Sequence, residues 1–566
     1  MSRTRRWPKS ALSACALGFS LLVAQQPLVS AADLLRTVAL TGDPAPGAEP
    51  GVALAFIRSI MPLGNGLASI GGTLAGPGIE VSLPGRNHSA IWSETLGGLN
   101  MVVRHGDAAL GAAEGDVFLG RLNPFQAGAG GIAFWADFVG PPNIAVGTRN
   151  LGIWRQNAAG GLELVVFVPE SLTAGGEEGI TITGLNAWVG NGSGKIAYSG
   201  AYREAADPAS LNRGVWTQGA GGAVRLVVRS GDPVSGMENA VVNLGVNNLQ
   251  LSDASRLAFP AEVRQYDSPD LVGPFSRRNA LLTENGAGLL EAVAIQGQPA
   301  PGASDGALFE KFAFPEGNVV LSRHGTMAFY ATLSGNNVSD GNSRGVWTDR
   351  TGVVSLIARA GDSPAGIDAD FRWYGFGNLG INDSGEIAFS ANYTREGNNQ
   401  VVGNGAWIEQ QGQLQLVAKT GDLLPGLPED SFFHFGQIHR PADYPVAVLV
   451  ARLAGAGVDD SNDQGIWVRN AWGEMLLVAR EGELLDVSDD PHAPDLRRVS
   501  TLQFGGIDEQ GYVSFQATFV GGSSGAFVSS IVAVPEPSPG TLLLLGAALL
   551  GSAPRRCHSP RRGGAS

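Results

Sequence analysis

The chain has 566 residues, of which 44% are apolar, only 16% are charged and 81 are glycine, against about 25% charged and about 7% glycine in an average globular protein. The formal net charge is −14. Setting aside the eight basic residues of the two ends leaves 30 against 52 acidic residues in all, which argues against nucleic acid or an anionic membrane surface as a partner of the body. The two cysteines, Cys15 and Cys557, stand at the extremes, so a disulfide cannot hold the part between them.

Reading from the N-terminus, Arg3, Arg5, Arg6 and Lys9 precede an apolar stretch at 11–24, and "VSA" at 29–31 supplies small residues for cleavage. Residues 1–31 read as a secretory signal peptide, set aside from fold reasoning. "LSAC" at 12–15 formally fits a lipoprotein box, but the apolar run follows Cys15 instead of preceding it. "TRRWPK" hints at twin-arginine export, yet Pro8 stands where that signal wants an apolar residue.

Residues 32–533 are built on a repeat. "VALTGDPAPG" from Val38 returns as "VVRHGDAALG" (Val102), "VVRSGDPVSG" (Val227), "VAIQGQPAPG" (Val293), "IARAGDSPAG" (Ile357), "VAKTGDLLPG" (Val417) and "VAREGELLD" (Val478). A degenerate copy, "VVFVPESLTAGG", starts at Val165. The repeated glycine position falls at Gly42, Gly106, Pro169, Gly231, Gly297, Gly361, Gly421 and Gly482, a period of a little over 60 residues. Two signatures share the period. A Gly-x-Trp strand carries Trp92, Trp154, Trp216, Trp347, Trp407 and Trp467, with Leu281 and Phe527 in the same place. An N-x-x-G turn followed by a small-aromatic strand is complete at Asn191-Gly194-Ala197-Tyr198 and Asn382-Gly385-Ala388-Phe389. Its second half persists at Ala133-Phe134, Ala258-Phe259, Ala328-Phe329 and Ser514-Phe515.

Each unit therefore reads as four strands: the Gly-x-Trp strand, the strand ending in the ten-mer, a short apolar strand and the small-aromatic strand, with glycine turns joining them as hairpins. Sixty-odd residues in four strands is the size of a propeller blade; an immunoglobulin sandwich needs about 100. The ends agree. The repeat is entered at "LLRTVALTGDPAPG" without a Gly-x-Trp strand and left on a lone copy, "GAFVSSIVAV" from Gly525. Joined, they make one unit, which predicts an all-β, eight-bladed propeller closed by its terminal strands.

The repeated tryptophans are expected to pack between blades, and the glycines to permit turns with positive φ. The acidic residue after each repeated glycine, at Asp43, Asp107, Glu170, Asp232, Asp362, Asp422 and Glu483 with Gln298 as the exception, caps its own turn in the plainest reading. The same seven carboxylates should share a face with long connections such as "DFVGPPNIAVGTRN" and "YREAADPASLNR", which makes that face the candidate for calcium or a cationic saccharide. Catalytic motifs are missing: no Walker loop, no H-E-x-x-H, no G-x-S-x-G and no cysteine ligand set. His434 and His439 lie five apart, on opposite faces of a strand, so they should not share a metal. The acidic runs at Asp459 and Asp486 read as solvated loops.

At 534–566, "VPEPSPGTLLLLGAALLGSAPRRCHSPRR" resembles a PEP-CTERM sorting tail: Pro535-Glu536-Pro537, an apolar run at 541–553, then Arg555-Arg556. The resemblance implies recognition and cleavage near Pro-Glu-Pro by an exosortase-type enzyme after transient insertion in the inner membrane. The run falls short of the roughly 20 residues a permanent span needs. The repeats also resemble those of exported bacterial proteins with tandem N-x-x-G-x-x-A-F units and interchangeable anchors, a family that implies no particular activity. The expectation is a non-enzymatic cell-surface or extracellular-matrix protein contacting exopolysaccharide. Its rival is a carbohydrate-active hydrolase or lyase, which needs two unequal, non-repeated carboxylates meeting in the channel.

Overall fold

The computed structural model describes residues 35–530, apart from 83–84, 127–130, 141–149, 158–159, 169, 173–178, 219–223, 246–247, 285–287, 304, 313–318, 440–446, 471–472 and 491. Among the described residues, thirty-six strands form eight antiparallel sheets and there is no helix, hence none long and apolar enough to cross a membrane. The molecule is an eight-bladed β-propeller. Blades 1 to 7 occupy 53–104, 117–168, 170–229, 240–295, 308–359, 371–419 and 431–480. Blade 8 takes 484–529 and borrows its outermost strand from 35–40. The first strand of each blade meets the first strand of its neighbours, so these eight line the channel. The chain then steps outward through the second, third and fourth strands.

The blade frame differs from the frame of the sequence repeat. A blade opens on the strand read above as short and apolar, and ends on the one carrying the ten-mer. That first strand is often long: Ala53–Gly64, Ile180–Gly190, Phe371–Ile381 and Leu496–Ile507 run 11 or 12 residues. Bulges interrupt each of them. A bulge spoils the two-residue alternation by which a strand is recognised.

The two signatures turn out to be neighbours. Phe389 on the second strand of blade 6 stands opposite Trp407 on the third, their rings stacked 6.0 Å apart at 19°. Phe134–Trp154, Tyr198–Trp216 and Phe329–Trp347 repeat the pair. All six tryptophans of the Gly-x-Trp strands are fully buried. They pack against the preceding blade, as Trp347 does against Ala258, Leu281 and Ala294, which is the inter-blade role expected of them.

The ten-mer is a connector. Its Gly-Asp bonds twice to the next blade's first strand: the Gly361 N–H donates to the Trp373 carbonyl (2.8 Å) and the Trp373 N–H to the Asp362 carbonyl (3.0 Å). Six other copies do the same, from Gly42 with Leu54 to Gly482 with Val499. In five blades the chain then wraps back over the blade it is entering and offers a carbonyl to the buried indole. Trp407 Nε1 donates to Ala365 (2.8 Å), and Trp92, Trp154, Trp347 and Trp467 donate to Pro46, Leu110, Pro301 and Pro425. The final glycine permits that wrap: Gly366 has φ +75°, and a Cβ there would stand 2.8 Å from Leu416 Cβ.

Closure follows the expected plan. Leu35–Leu40 pairs antiparallel with Ser524–Ser529, placing Thr37 opposite Phe527. Across the same joint Ser524 Oγ takes the Ile57 N–H (3.0 Å), Gln516 Nε2 donates to the Ile57 carbonyl (2.6 Å) and Arg36 pairs with Glu94 at 2.6 Å.

The channel is bridged at the end formed by the hairpins between first and second strands. Arg323, in the blade 5 hairpin, donates to Asp253 of blade 4 (2.6 Å) and reaches Glu509 of blade 8 (2.5 Å), while its own N–H donates to Asp383 of blade 6 (3.1 Å). Hydrogen bonding to Asp253 is the largest influence raising the pKa of Arg323.

Candidate functional site

The opposite mouth carries the connections between blades and the loops between second and third strands, so the Gly-Asp turns stand there with the hairpin that joins Ile196–Glu204 to Asp207–Gln218, the stretch read above as a long connection; residues 141–149 of the other lie outside the described residues. The repeated carboxylates do not gather there. Asp43, Asp107, Asp232 and Asp422 each accept the backbone N–H three residues back, from Leu40, Arg104, Arg229 and Lys419, at 2.7–2.9 Å. Glu483 stands 3.4 Å from Arg480, and burial raises the pKa of Asp107 and Asp362. The Glu170 side chain lies outside the described residues, as do Pro535, Glu536, Pro537, Arg555 and Arg556. Among the described residues, no group of three His, Cys, Asp or Glu side chains is assembled to hold calcium or another metal.

What varies among six of the eight blades is the residue released by the first bulge of the inner strand. It is Ala55, Thr183, Glu310, Tyr374, His434 and Ser500, lying between the paired positions Leu54/Phe56, Ile182/Gly184, Phe309/Lys311, Trp373/Gly375, Phe433/Phe435 and Val499/Thr501. A bulge frees backbone groups and re-aims a side chain. The preceding blade satisfies some of the freed groups: Asn404 accepts the Gly436 N–H (3.1 Å), and Gln464 donates to the Leu502 carbonyl (2.6 Å). His434 is exposed, whereas the His439 ring packs on Phe504, 4.6 Å between centroids. The two do not meet.

The first strands invert the charge of the molecule. They carry Arg58, Arg121, Lys311, Arg372, Arg497 and Arg498 but a single carboxylate, Glu310, among the described residues, while the short edge strands that pair with two of them, Glu170–Leu172 and Leu484–Asp486, add two more. Carboxylates on other segments answer three of the cations: Asp137 for Arg121, Glu396 for Arg372 and Asp495 for Arg497. Arg58, Lys311 and Arg498 have no carboxylate within 4 Å among the described residues. Carboxylates do converge, but at the hairpin mouth around Arg323.

One boundary concentrates this chemistry. A second bulge in blade 1, between Ile57 and Ser59, releases Arg58, which is exposed and 3.5 Å from Ser89 Oγ. His88 ends the loop above it, and His105 leaves the fourth strand towards blade 2. The imidazoles meet edge to face, 5.4 Å apart at 75°. His105 is 4% exposed, and its Nε2 donates to the Gly120 carbonyl at 2.5 Å. Burial lowers its pKa to about 4, with His88, Arg86 and Arg58 adding to the effect. Burial, then Arg86 and Arg58, also lower that of His88. Both rings are thus neutral at pH 7, and each keeps a buried Nδ1 without a partner among the described residues.

A family model described as a family of unknown function (DUF7453) matches residues 23–173, 167–439 and 395–541. The chain belongs to that family. No curated protein matches it. Solved structures similar to it include an oligogalacturonate lyase in complex with manganese (10% identity, TM-score 0.32, 74% of this chain and 96% of that one). Another is the β-propeller domain of the Trilobed protease from Pyrococcus furiosus (11%, 0.36, 76% and 97%), and a third is polysaccharide lyase Uly1 (12%, 0.33, 74% and 94%).

In this DUF7453 chain the sequence reading passed over a second recurring element. The arginine two places before the repeated glycine reaches back to the loop before the third strand: Arg104 Nε to the Asn87 carbonyl, Arg359 to Asn342 and Arg480 to Asn462, at 2.7–3.2 Å. The signal was present in "VVRHGD", "IARAGD" and "VAREGE". At blade 1 this tie fixes the loop that presents His88.

Proposed function

We propose that this DUF7453 protein is an exported, non-enzymatic component of the cell surface or extracellular matrix that contacts exopolysaccharide through the loop-face mouth of its channel. The observation that carries the reading is the surplus of cations on the first strands of a strongly acidic body: six arginines and lysines against Glu310 and, on the paired edge strands, Glu170 and Asp486, among the described residues. Arg58, Lys311 and Arg498, which no carboxylate answers within 4 Å among the described residues, are the groups that would take an anionic polymer at that mouth, against the acidic turns that share it. The N-terminal signal and the PEP-CTERM-like tail support export and exosortase-type sorting.

Two measurements test this. Purified protein should be retained on acidic but not neutral polysaccharide, and released by raised salt as screening shortens the field. Turnover of any of these polymers would replace the binding reading with an enzymatic one. For the address, mass spectrometry of the extracellular fraction should find Cys557 absent from mature protein. Changing Pro535, Glu536 and Pro537 to Ala should leave the chain uncleaved in the inner membrane.

A further inference from the structure

We propose that the cavity between blades 5 and 6 binds one carboxylate-bearing sugar residue, with the Arg344 guanidinium taking the carboxylate and the Asn392 amide donating to a second oxygen. The proposal rests on the reading of the protein as a polysaccharide binder and names the site and the class of sugar held there.

Arg344 stands where the fold needs only a neutral group. It precedes the glycine of its Gly-x-Trp strand, and in other blades that place holds Asn404, Gln464 and Ser524. Each of these bonds to the first strand of the next blade, at Gly436, Leu502 and Ile57. Arg344 makes the same reach only at length: its Nη1 lies 3.4 Å from the carbonyls of Tyr374 and Asp340. What the arginine adds is a charge and two further donors. Nε and Nη2 have no partner among the described residues, and neither is enclosed. These two nitrogens form the edge by which Arg497 grips Asp495, at 3.1 and 2.7 Å. On Arg344 no carboxylate among the described residues takes that edge, and the guanidinium carbon lies over the Tyr374 ring, 5.7 Å from its centroid. Two parallel donors match a planar carboxylate, and such charge-assisted bonds are the strong ones.

One opening carries the rest of the site. Arg344 lines a cavity of about 110 Å³ together with Tyr330, Ala331, Gly375, Phe376 and Asn392, and none of its lining residues is acidic. The Tyr330 and Phe376 rings, stacked 6.0 Å apart at 26°, give it an apolar wall. A Cβ placed on Gly375 would meet nothing within 4 Å, so the backbone there leaves the space open. Asn392 is exposed; its Oδ1 accepts from Asn404 (3.1 Å), and its Nδ2 has no partner among the described residues. A cavity of about 150 Å³ takes a benzene ring, so this one admits the edge of a single sugar and no more. An inorganic anion suits Arg344 and leaves the apolar wall bare. A neutral sugar suits the wall and Asn392 and leaves the guanidinium edge unmet. A sugar that bears a carboxylate, ring hydroxyls and an apolar C–H face satisfies the whole set.

Binding of a uronic acid trisaccharide, its methyl ester and inorganic phosphate to the full-length protein would be followed by calorimetry. The acid should bind at least about tenfold tighter than either of the others. Arg344→Gln installs the residue that blade 7 carries at this place, so the fold should hold while affinity for the acid falls about tenfold or more. Arg344→Lys keeps the charge without the paired edge and should lose less. Gly375→Leu should fill the cavity and abolish binding with Arg344 untouched. Should melting curves show that variant unfolded, Asn392→Asp sets a carboxylate on the opening and should weaken the acid by about tenfold or more. Ester or phosphate binding as tightly as the acid would overturn the proposal. So would wild-type affinity in Arg344→Gln, or a trisaccharide that does not bind a protein still retained on acidic polysaccharide; both leave the wider reading standing. Absence of wild-type binding to any acidic saccharide would sink both.

Discussion

Blades 6 and 8 have the same four strands in the same order, but one is written without interruption and the other is assembled from the two ends of the chain. In blade 6 the connector turns back on itself, and Ala365 gives Trp407 its hydrogen bond. The connector entering blade 8 lacks the wrapping glycine; it runs on as Leu484–Asp486, pairing with the first strand, and the tryptophan position holds Phe527, which has no N–H to satisfy. Blade 3 falls between. Its connector also forms a strand, Glu170–Leu172, yet it keeps Trp216, whose buried Nε1 has no partner among the described residues. The ten-mer and the tryptophan are therefore two halves of one contact in the five blades that keep both.

The largest effect tests whether blade 8 holds the ring. Ending the chain before Gly525 removes the strand that joins Leu35–Leu40 to Val513–Phe519, exposing sheet edges on both sides. Cooperative unfolding should vanish and aggregation appear in light scattering, whereas ending at Val534 should leave the melting curve unchanged. Equal curves for the two would mean that the terminal strand is dispensable.

A second effect, about 2 kcal/mol, sits at the seam between blades 7 and 8. Burial lowers the pKa of His439 to about 4, against about 6.5 in an unfolded chain. Between those values the unfolded chain binds the proton and the folded one does not, so stability is complete above about pH 6.5 and falls as the pH drops towards 4. His439→Phe removes the titration and keeps a ring against Phe504. Urea titrations should show the variant gaining on the wild type as pH falls from 6.5 to 4. A gap that stays constant with pH would exclude His439 as the source.

The smallest effect separates the tryptophans. Trp407→Phe loses packing and the hydrogen bond to Ala365; Trp216→Phe loses packing and a donor that has no partner among the described residues. The first should cost about 1–2 kcal/mol more than the second in denaturant midpoint at unchanged slope. Equal costs would break the pairing of connector and indole.

Blade number, the closing strand and the role of Trp92 or Trp407 could be read from the sequence because each recurs, and a ring makes recurrence geometric. The mouth of the channel could not. The bulges that release Arg58, Tyr374 and His434 occur where strand alternation fails, so the inner strands read as short; His434 stands out in the sequence only for its spacing from His439, and Arg58 and Tyr374 carry no signal there. The repeated acids stand out in the sequence for a different reason. Asp43, Asp107, Asp232 and Asp422 recur because every turn needs its cap, so recurrence there reports local backbone chemistry. His88 and His105 recur nowhere, and only the fold brings them to one boundary.

Arg323 gives the molecule a direction. By joining blade 4, blade 5 and blade 8 across one end of the channel, it makes the ring a cup instead of a pipe. A polymer cannot be threaded through a cup. It can present a terminus or lay a bend across the rim, and it leaves by the way it came. In the function proposed above, grip on a long polysaccharide comes from many copies of the protein each holding one point along it, with strength set by surface density more than by any single affinity.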